Sequence, residues 1–415
     1  VATFVHDILF NLLCNHYHDL IFSIIVMKFS KNYRRARAAD GLLKEFHEIM
    51  PQEYEEVELI RRALLKAAVT WSEKILQRIQ DAHDHFHRNK IDEMVATLHS
   101  ILILTSKPRC EMEYQFLEQY SDMLTSLNRI ISSYNSKDSV RQLSDAHESS
   151  DSSESEGSNK RSDASDDDDE CNQGNCIQQM ASWCRKMNES LCEDLKSIHV
   201  IQLSSISPQL CQKTHFSLAV AGTYRPGKPI VRIKYFVGQY NVYMTKQQPK
   251  DVVVMGEDGN YYQYLLKGHE DLRLDERIMQ FFRLINSFLK KETGFQSNLI
   301  EAMTVIPLSM SHGLVQWIRG TDTLRNVVQQ YRTIHNKDPL QEYVMLDKLS
   351  TKSFDLLLPI QKVQVIEKVF QEVPDNDLAD FFWLKAESAE MWLKQTNTFS
   401  ITTGMTSIVC YIIGL

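Results

Sequence analysis

The sequence predicts an α+β protein, in which a helical segment and a four-helix bundle precede an antiparallel sheet with one helix and then a second helical region. Three observations carry this. Apolar residues recur at helical spacing between positions 51 and 200, β-branched and aromatic residues concentrate between 229 and 266, and helical spacing returns beyond Thr321. A chain of 415 residues is too long for one economical core, so about two to four domains are expected.

The N-terminal segment contains the apolar run "DLIFSIIVMKF" (19–29), which is too short for a bilayer span and has no signal-peptide cleavage pattern. From 51 to 88, after the breaker Pro51, the positions Ile60, Leu64, Ala67, Ala68, Trp71, Ile75, Ile79, Ala82 and Phe86 read as one long amphipathic helix. Further helical periods run through Ile91–Leu102, Phe116–Ile131 and Ile177–Leu195, and four helices with short links suggest a bundle. The pair His83 and His87 has metal-ligand spacing on one helix face, but no third ligand accompanies it, so a polar helix end is expected.

Between the third and fourth helices, "SDAHESSDSSESEGSNKRSDASDDDDE" (144–170) has no aromatic or branched aliphatic side chain, so a disordered acidic insert over 136–175 is expected. Such an insert is compatible with a folded bundle, because doubling a loop costs only about 0.6 kcal/mol. Its serines stand before acidic residues and read as sites for an acid-directed kinase or as a solvated spacer. Beyond 200 the runs 229–237, 240–245, 251–255 and 260–266, with the turn "GEDG" (256–259), predict an antiparallel sheet of hairpins. A helix over 278–291 and strands over 303–309 and 313–318 follow.

The composition, 43% hydrophobic and 24% charged, is that of a soluble globular chain, and the net charge of −8, much of it local, argues against a whole-chain nucleic-acid or polyanion binder. The eight cysteines include no C-x-x-C pair, and the spacing around "CNQGNC" (171–176) fits no zinc module, so reduced thiols are expected. The chain starts with Val and stops inside the apolar run "GMTSIVCYIIGL", so both ends read as cut and a longer parent protein is expected.

"YLLKGHEDLRLDER" (264–277) closes an apolar run with Lys267 and then crowds Glu270, Asp271, Asp275 and Glu276 into the next turns. Read from spacing alone, these acids are a solvated helix start that complements the dipole. The alternative is the outline of a kinase-like fold: a strand lysine contacts nucleotide phosphates, a carboxylate holds its ammonium, and Leu265 on the same strand faces the base.

"LLKGHEDLRLDERIMQFFRLIN" resembles the signature of the phosphatidylinositol-3-kinase-related protein kinases, most closely their target of rapamycin (TOR) branch. The resemblance extends through "HFSLAVAGTYRPGKPIVRI" (215–233), "TKQQPKDVVVMGEDG" (245–259), "VIPLSMSHGLVQWI" (305–318) and the stretch 377–415. Upstream, "HDLIFSIIVMKFSKNYRRARAADGLLKE" resembles the end of the family's FAT solenoid, and the bundle resembles its FKBP–rapamycin-binding (FRB) domain. The implied organisation is a FAT end over 1–50, an FRB-like bundle over 51–200, a kinase N-lobe and hinge over 201–320, and the beginning of a C-lobe over 321–415.

The resemblance implies an ATP-dependent protein serine/threonine kinase in growth or nutrient signalling. It implies that Lys267 contacts ATP phosphates and that Glu270 or Asp275 positions it or lines the inner pocket. Thr245, Gln247 and Pro249 fall in the loop over the phosphates, which lacks a glycine fingerprint, while Val315, Trp317 and Ile318 match the interlobe hinge, and Thr323 completes the ATP-binding set. The other reading of Trp317 is an ordinary core tryptophan.

The family's Asp-Arg-His-x-x-Asn catalytic loop and metal-binding Asp-Phe-Gly are expected beyond Leu415, so no catalytic residue and no Mg2+ ligand lies within the span, and these residues alone are expected to be inert. Segment 338–373 resembles the insertion that seats a small β-propeller subunit in TOR complexes. The last bundle helix offers Trp183 in uncertain register and no Phe or Tyr, which leaves FKBP–rapamycin binding doubtful. Protein substrates, no membrane span and a cytoplasmic location, with room for association with endomembranes or nucleus, complete the expectations. The rivals are a non-catalytic pseudokinase scaffold of the same family and a phosphoinositide lipid kinase.

Overall fold

The computed structural model describes residues 2–147, 166–293, 300–350, 353–373 and 375–415. It divides into two compact units, Val1–Arg277 with Thr304–Trp317, and Ile278–Met303 with Ile318–Leu415.

The first unit opens with α1 (Ala2–Met27), α2 (Tyr33–Ile49) and α3 (Pro51–Ala68). The apolar stretch judged too short at 19–29 is the end of a longer helix, and Phe4–Met27 is long and apolar enough to cross a membrane by length and composition. Its second half is nevertheless a core element: Ile21, Ile24, Ile25 and Val26 are buried, and the backbone kinks at His16 (φ −133°, ψ 31°). His16 Nδ1 lies 2.7 Å from the Tyr224 hydroxyl, and His18 Nδ1 accepts the Ala219 N–H at 3.2 Å.

The helix expected to run unbroken from 51 to 88 is two helices. Val69 is extended (φ −137°, ψ 108°), and α4 (Trp71–His87) starts anew on the N-cap Thr70. The sequence "TWSE" (70–73) is a capping box: the Thr70 side chain and the Glu73 carboxylate each satisfy a donor of the other, and such a cap contributes about 0.5 to 2 kcal/mol. The break redirects the chain. Leu64, Ala67 and Ala68 of α3 join one core, whereas Trp71, Ile75 and Ile79 of α4 join another.

That second core is the bundle of α4, α5 (Ile91–Thr105), α6 (Glu111–His147) and α7 (Asp166–Ser197). The acidic insert expected over 136–175 lies in part outside the described residues, with most of its serines; 136–147 and 166–175, expected without structure, are helical backbone. Trp183 is buried, its indole N–H donating to the Met123 carbonyl at 2.8 Å, which settles its register inward. His83 and His87 face each other at 3.1 Å between their Nε2 atoms, and among the described residues no group of three His, Cys, Asp or Glu side chains is placed to hold a metal.

β1 (Val200–Gln202), α8 (Leu203–Ile206) and α9 (Pro208–Gln212) lead into the sheet region, with β2 (Ile233–Phe236), β3 (Gln239–Asn241), β4 (Lys250–Gly256), β5 (Tyr261–Gly268), α10 (Arg273–Thr293), β6 (Val305–Pro307) and β7 (His312–Gln316). The five-stranded antiparallel sheet has the order β2-β4-β5-β7-β6. Of the run 240–245, expected within it, only 240–241 are strand, as part of β3, which pairs with β1 in a two-stranded sheet, and Val242 makes an isolated bridge to Lys250. Val252, Val254, Tyr264, Leu266 and Leu314 point to one face and pack into the same core as α1, α2 and α3. The opposite face is left for chemistry.

The second unit holds the remainder of α10, α11 (Leu324–Ile334), α12 (Gln341–Leu349), α13 (Pro359–Glu372), α14 (Asp377–Lys385) and α15 (Ala389–Ile413). Phe282, Ile300 and Val409 form a small core there. Arg332, only 4% exposed, ties three helices together through Asp377 (Nε to Oδ2, 2.6 Å) and Glu342 (Nη1 to Oε2, 2.7 Å), while Lys337 adds a 2.9 Å contact to Asp377.

Candidate nucleotide site

Period-two alternation on the central strand makes the site. Tyr264 and Leu266 of β5 are buried against the helices, so Gln263, Leu265 and Lys267 line the open face. Register then brings their neighbours alongside: Leu265 pairs with Asp251 on β4 and with Val315 on β7, and Lys267 pairs with Gly313. The sequence-predicted Leu265, Lys267 and Val315 therefore share one face. Gly313 beside Lys267 admits no side chain, because a Cβ there would stand 2.6 Å from the Ile306 carbonyl oxygen.

Lys267 Nζ donates to Glu270 Oε2 at 3.0 Å, with the two side chains 31% and 34% exposed. Two backbone features hold Glu270 in reach. His269 takes a left-handed conformation (φ 64°), and the Glu270 N–H donates to the Ser311 carbonyl at 3.0 Å in the β6–β7 turn. Of the two carboxylates considered for this job, Glu270 is the one bonded to the ammonium; Asp275 lies exposed in the first turn of α10. Asp271 is occupied otherwise: Arg273 holds its carboxyl below the usual carboxylate range through a 2.5 Å contact.

Thr245, Gln247 and Pro249 sit on a tight hairpin between β3 and β4, closed by the Tyr243 N–H donating to the Pro249 carbonyl at 2.9 Å and by the Gln248 N–H donating to the Thr245 carbonyl at 3.0 Å. The loop contains no glycine, and Gln248 itself takes the positive φ of 41°. Thr245 and Gln247 are exposed and Pro249 is half-buried.

Trp317 prolongs the pairing of β7 with β5, its N–H donating to the Gln263 carbonyl at 2.9 Å, and its side chain is 38% exposed, not a core tryptophan. The ring of Tyr243 lies parallel to it, 5.6 Å away at 6°. Tyr243 and Asp251 stand beside the candidate residues Trp317 and Leu265, and motif spacing passed them over. Asp251 is 6% exposed; Oδ2 accepts from Gln263 at 3.0 Å, and Oδ1 has no partner. Ile318 and Thr323 fall in the second unit, where Ile318 is half-buried and Thr323 caps α11, its hydroxyl oxygen accepting the Asn326 N–H at 3.1 Å.

An antiparallel sheet with a lysine at the end of its central strand, a carboxylate on that lysine and an exposed tryptophan where the sheet ends is an N-lobe-like arrangement of the kinase class. Comparison with known proteins agrees. Residues 261–415 match the family model of phosphatidylinositol 3- and 4-kinase, and residues 58–151 match that of the FKBP12-rapamycin binding domain. The target of rapamycin homolog of Caenorhabditis elegans is 30% identical over 95% of this chain and 14% of its own length. Serine/threonine-protein kinase TOR of Oryza sativa is 28% identical over 100% of this chain and 16% of its own, and serine/threonine-protein kinase TOR2 of Saccharomyces cerevisiae 29% over 96% and 15%. The chain belongs to the phosphatidylinositol-3-kinase-related kinases and is a TOR-like segment of that family, spanning about one seventh of the length of these relatives.

Proposed function

We propose that the open face of this sheet binds ATP in a TOR-type protein serine/threonine kinase that acts in growth or nutrient signalling. The Lys267–Glu270 pair carries the proposal: an ammonium held at 3.0 Å by one carboxylate, at the mouth of a sheet face, keeps donors available for phosphate oxygens. In phosphoryl transfer the protein contributes mainly position and charge neutralisation, and Lys267 supplies both. Leu265 and Val315 give the base an apolar floor and Trp317 a ring to lie against, while Thr245, Gln247 and Pro249 cover the phosphates. The family resemblance also assigns Ile318, Asp275 and Thr323 to the ATP-binding set.

Mg2+ accompanies the nucleotide and neutralises phosphate charge when bound. The family resemblance assigns its ligands to the catalytic-loop Asn and the Asp-Phe-Gly motif. Exposed apolar side chains on and around α12 and α13, among them Tyr343, Val344, Leu358, Ile360 and Phe370, support a seat for a β-propeller subunit on 338–373. The inward position of Trp183 supports a bundle that does not take FKBP–rapamycin through that helix. We infer a cytoplasmic location, in keeping with the free thiols of the seven described cysteines.

The test is phosphate transfer by the full-length protein with Mg2+ and radiolabelled ATP, offered a protein substrate and a phosphoinositide in parallel. Serine/threonine phosphorylation that disappears in Lys267→Ala supports the proposal. Transfer to the lipid alone, or no transfer to either, overturns it.

A further inference from the structure

Lys250 is the first residue of β4, directly after the loop 245–249, and it is buried to 1% exposure. Its ammonium does not face the nucleotide side. It donates to the Ala68 carbonyl at 2.9 Å and to Glu73 Oε1 at 2.6 Å. Burial pushes the Lys250 pKa down, against the pull of Glu73, so the ammonium depends on that one carboxylate. Glu73 also serves the capping box that starts the bundle, where its Oε2 accepts the Thr70 N–H at 2.7 Å and the Thr70 hydroxyl at 2.9 Å.

The other end of the site meets the same joint. Gly268 follows Lys267, and a Cβ there would stand 2.5 Å from Val69 Cγ2 and 2.9 Å from the Ala68 carbonyl oxygen. The short segment 68–73 between α3 and α4 thus touches the strand that leaves the phosphate loop and the strand that ends in Lys267. Gln248, the left-handed residue of the loop, lines the same small crevice as Thr70, Glu73 and Lys250.

We propose that Glu73 and Lys250 are positioning residues for the phosphate end of the ATP site, through which the cap of the bundle fixes both the loop 245–249 and the strand end that presents Lys267. This rests on the ATP reading above. Neither side chain touches the nucleotide; their ion pair sets where the groups that do will stand, and a displacement near 1 Å is enough to cost affinity. Removing one partner of a buried pair leaves the other charge uncompensated, so the joint would open locally.

The experiment compares ATP and adenosine affinity in the full-length protein by titration calorimetry. Lys250→Met is expected to weaken ATP on the order of tenfold, the low end for losing an outer partner that orients a binding group, and to leave adenosine unchanged. Lys250→Arg, which keeps the charge and the donors, restores most of the ATP affinity. Glu73→Gln shows the same split at smaller size and serves if Lys250→Met does not fold. Unchanged ATP affinity in a folded Lys250→Met or Glu73→Gln protein overturns the proposal, and so does an equal loss for ATP and adenosine, which marks a merely structural role. If Lys267→Ala also leaves ATP affinity unchanged, the ATP site itself is wrong; if only Lys267→Ala weakens it, the positioning role alone fails.

Discussion

Replacing Lys267 by alanine separates binding from folding more cleanly than other substitutions at the site. The Lys267–Glu270 pair is about one third exposed on each side, so as a stabilising contact it belongs with surface ion pairs, worth about 0 to 1 kcal/mol. In the proposed ATP site its value to a triphosphate would be larger. A hydrogen bond to a charged group is worth about 1.5 to 3 kcal/mol, which corresponds to a roughly 10- to 150-fold weaker Kd for ATP. The bond sits on the central strand, so the flanking ladders to β4 and β7 persist without the side chain. Titration calorimetry with ATP, paired with thermal unfolding of the same protein, gives both numbers. We expect the affinity loss with a stability change of less than about 1 kcal/mol. ATP affinity that is unchanged, or that falls only in step with unfolding, refutes the role given to Lys267.

Trp317→Ala is expected to weaken ATP by about 1 to 3 kcal/mol, the range for loss of one stacking ring, measured by the same titration. Arg332→Ala should destabilise the second unit by about 1.5 to 3 kcal/mol, the range for a hydrogen bond to a charged group, because Asp377, itself 4% exposed, loses one counter-charge and keeps Lys337; chemical denaturation measures this. His18, whose pKa is pushed down to about 4 by burial and then by Arg232, accepts the Ala219 N–H only when neutral. The unfolded chain takes up that proton first, so stability is full above the ordinary value of 6.5 and is lost as pH falls toward 4. His18→Asn keeps an acceptor without a proton to gain and should flatten this part of the pH dependence of the melting temperature.

Much of the sheet was legible because its faces obey period two. Lys267, Leu265 and Val315 could be assigned to one side from alternation and motif alone, and register places them there. The break at Val69–Thr70 was missed because the apolar positions on either side keep a continuous helical spacing; only the Thr70-to-Glu73 capping pattern marks it, and a cap acts on four backbone donors that hydrophobic periodicity does not register. β3 was misassigned for a similar reason. Its β-branched and aromatic residues announce a strand, but not that β1, upstream by some forty residues, is its partner. The contacts of Tyr243 with Trp317, of Asp251 with Leu265 and of Glu73 with Lys250 escaped because long-range packing, not local pattern, makes them.

The most direct test of the nucleotide site is covalent labelling of the full-length protein with an acyl-phosphate derivative of ATP, followed by peptide mass spectrometry. Acylation concentrated on Lys267 and suppressed by excess ATP is the predicted result. Labelling spread over surface lysines, with Lys267 unmodified or unprotected by ATP, would contradict the account.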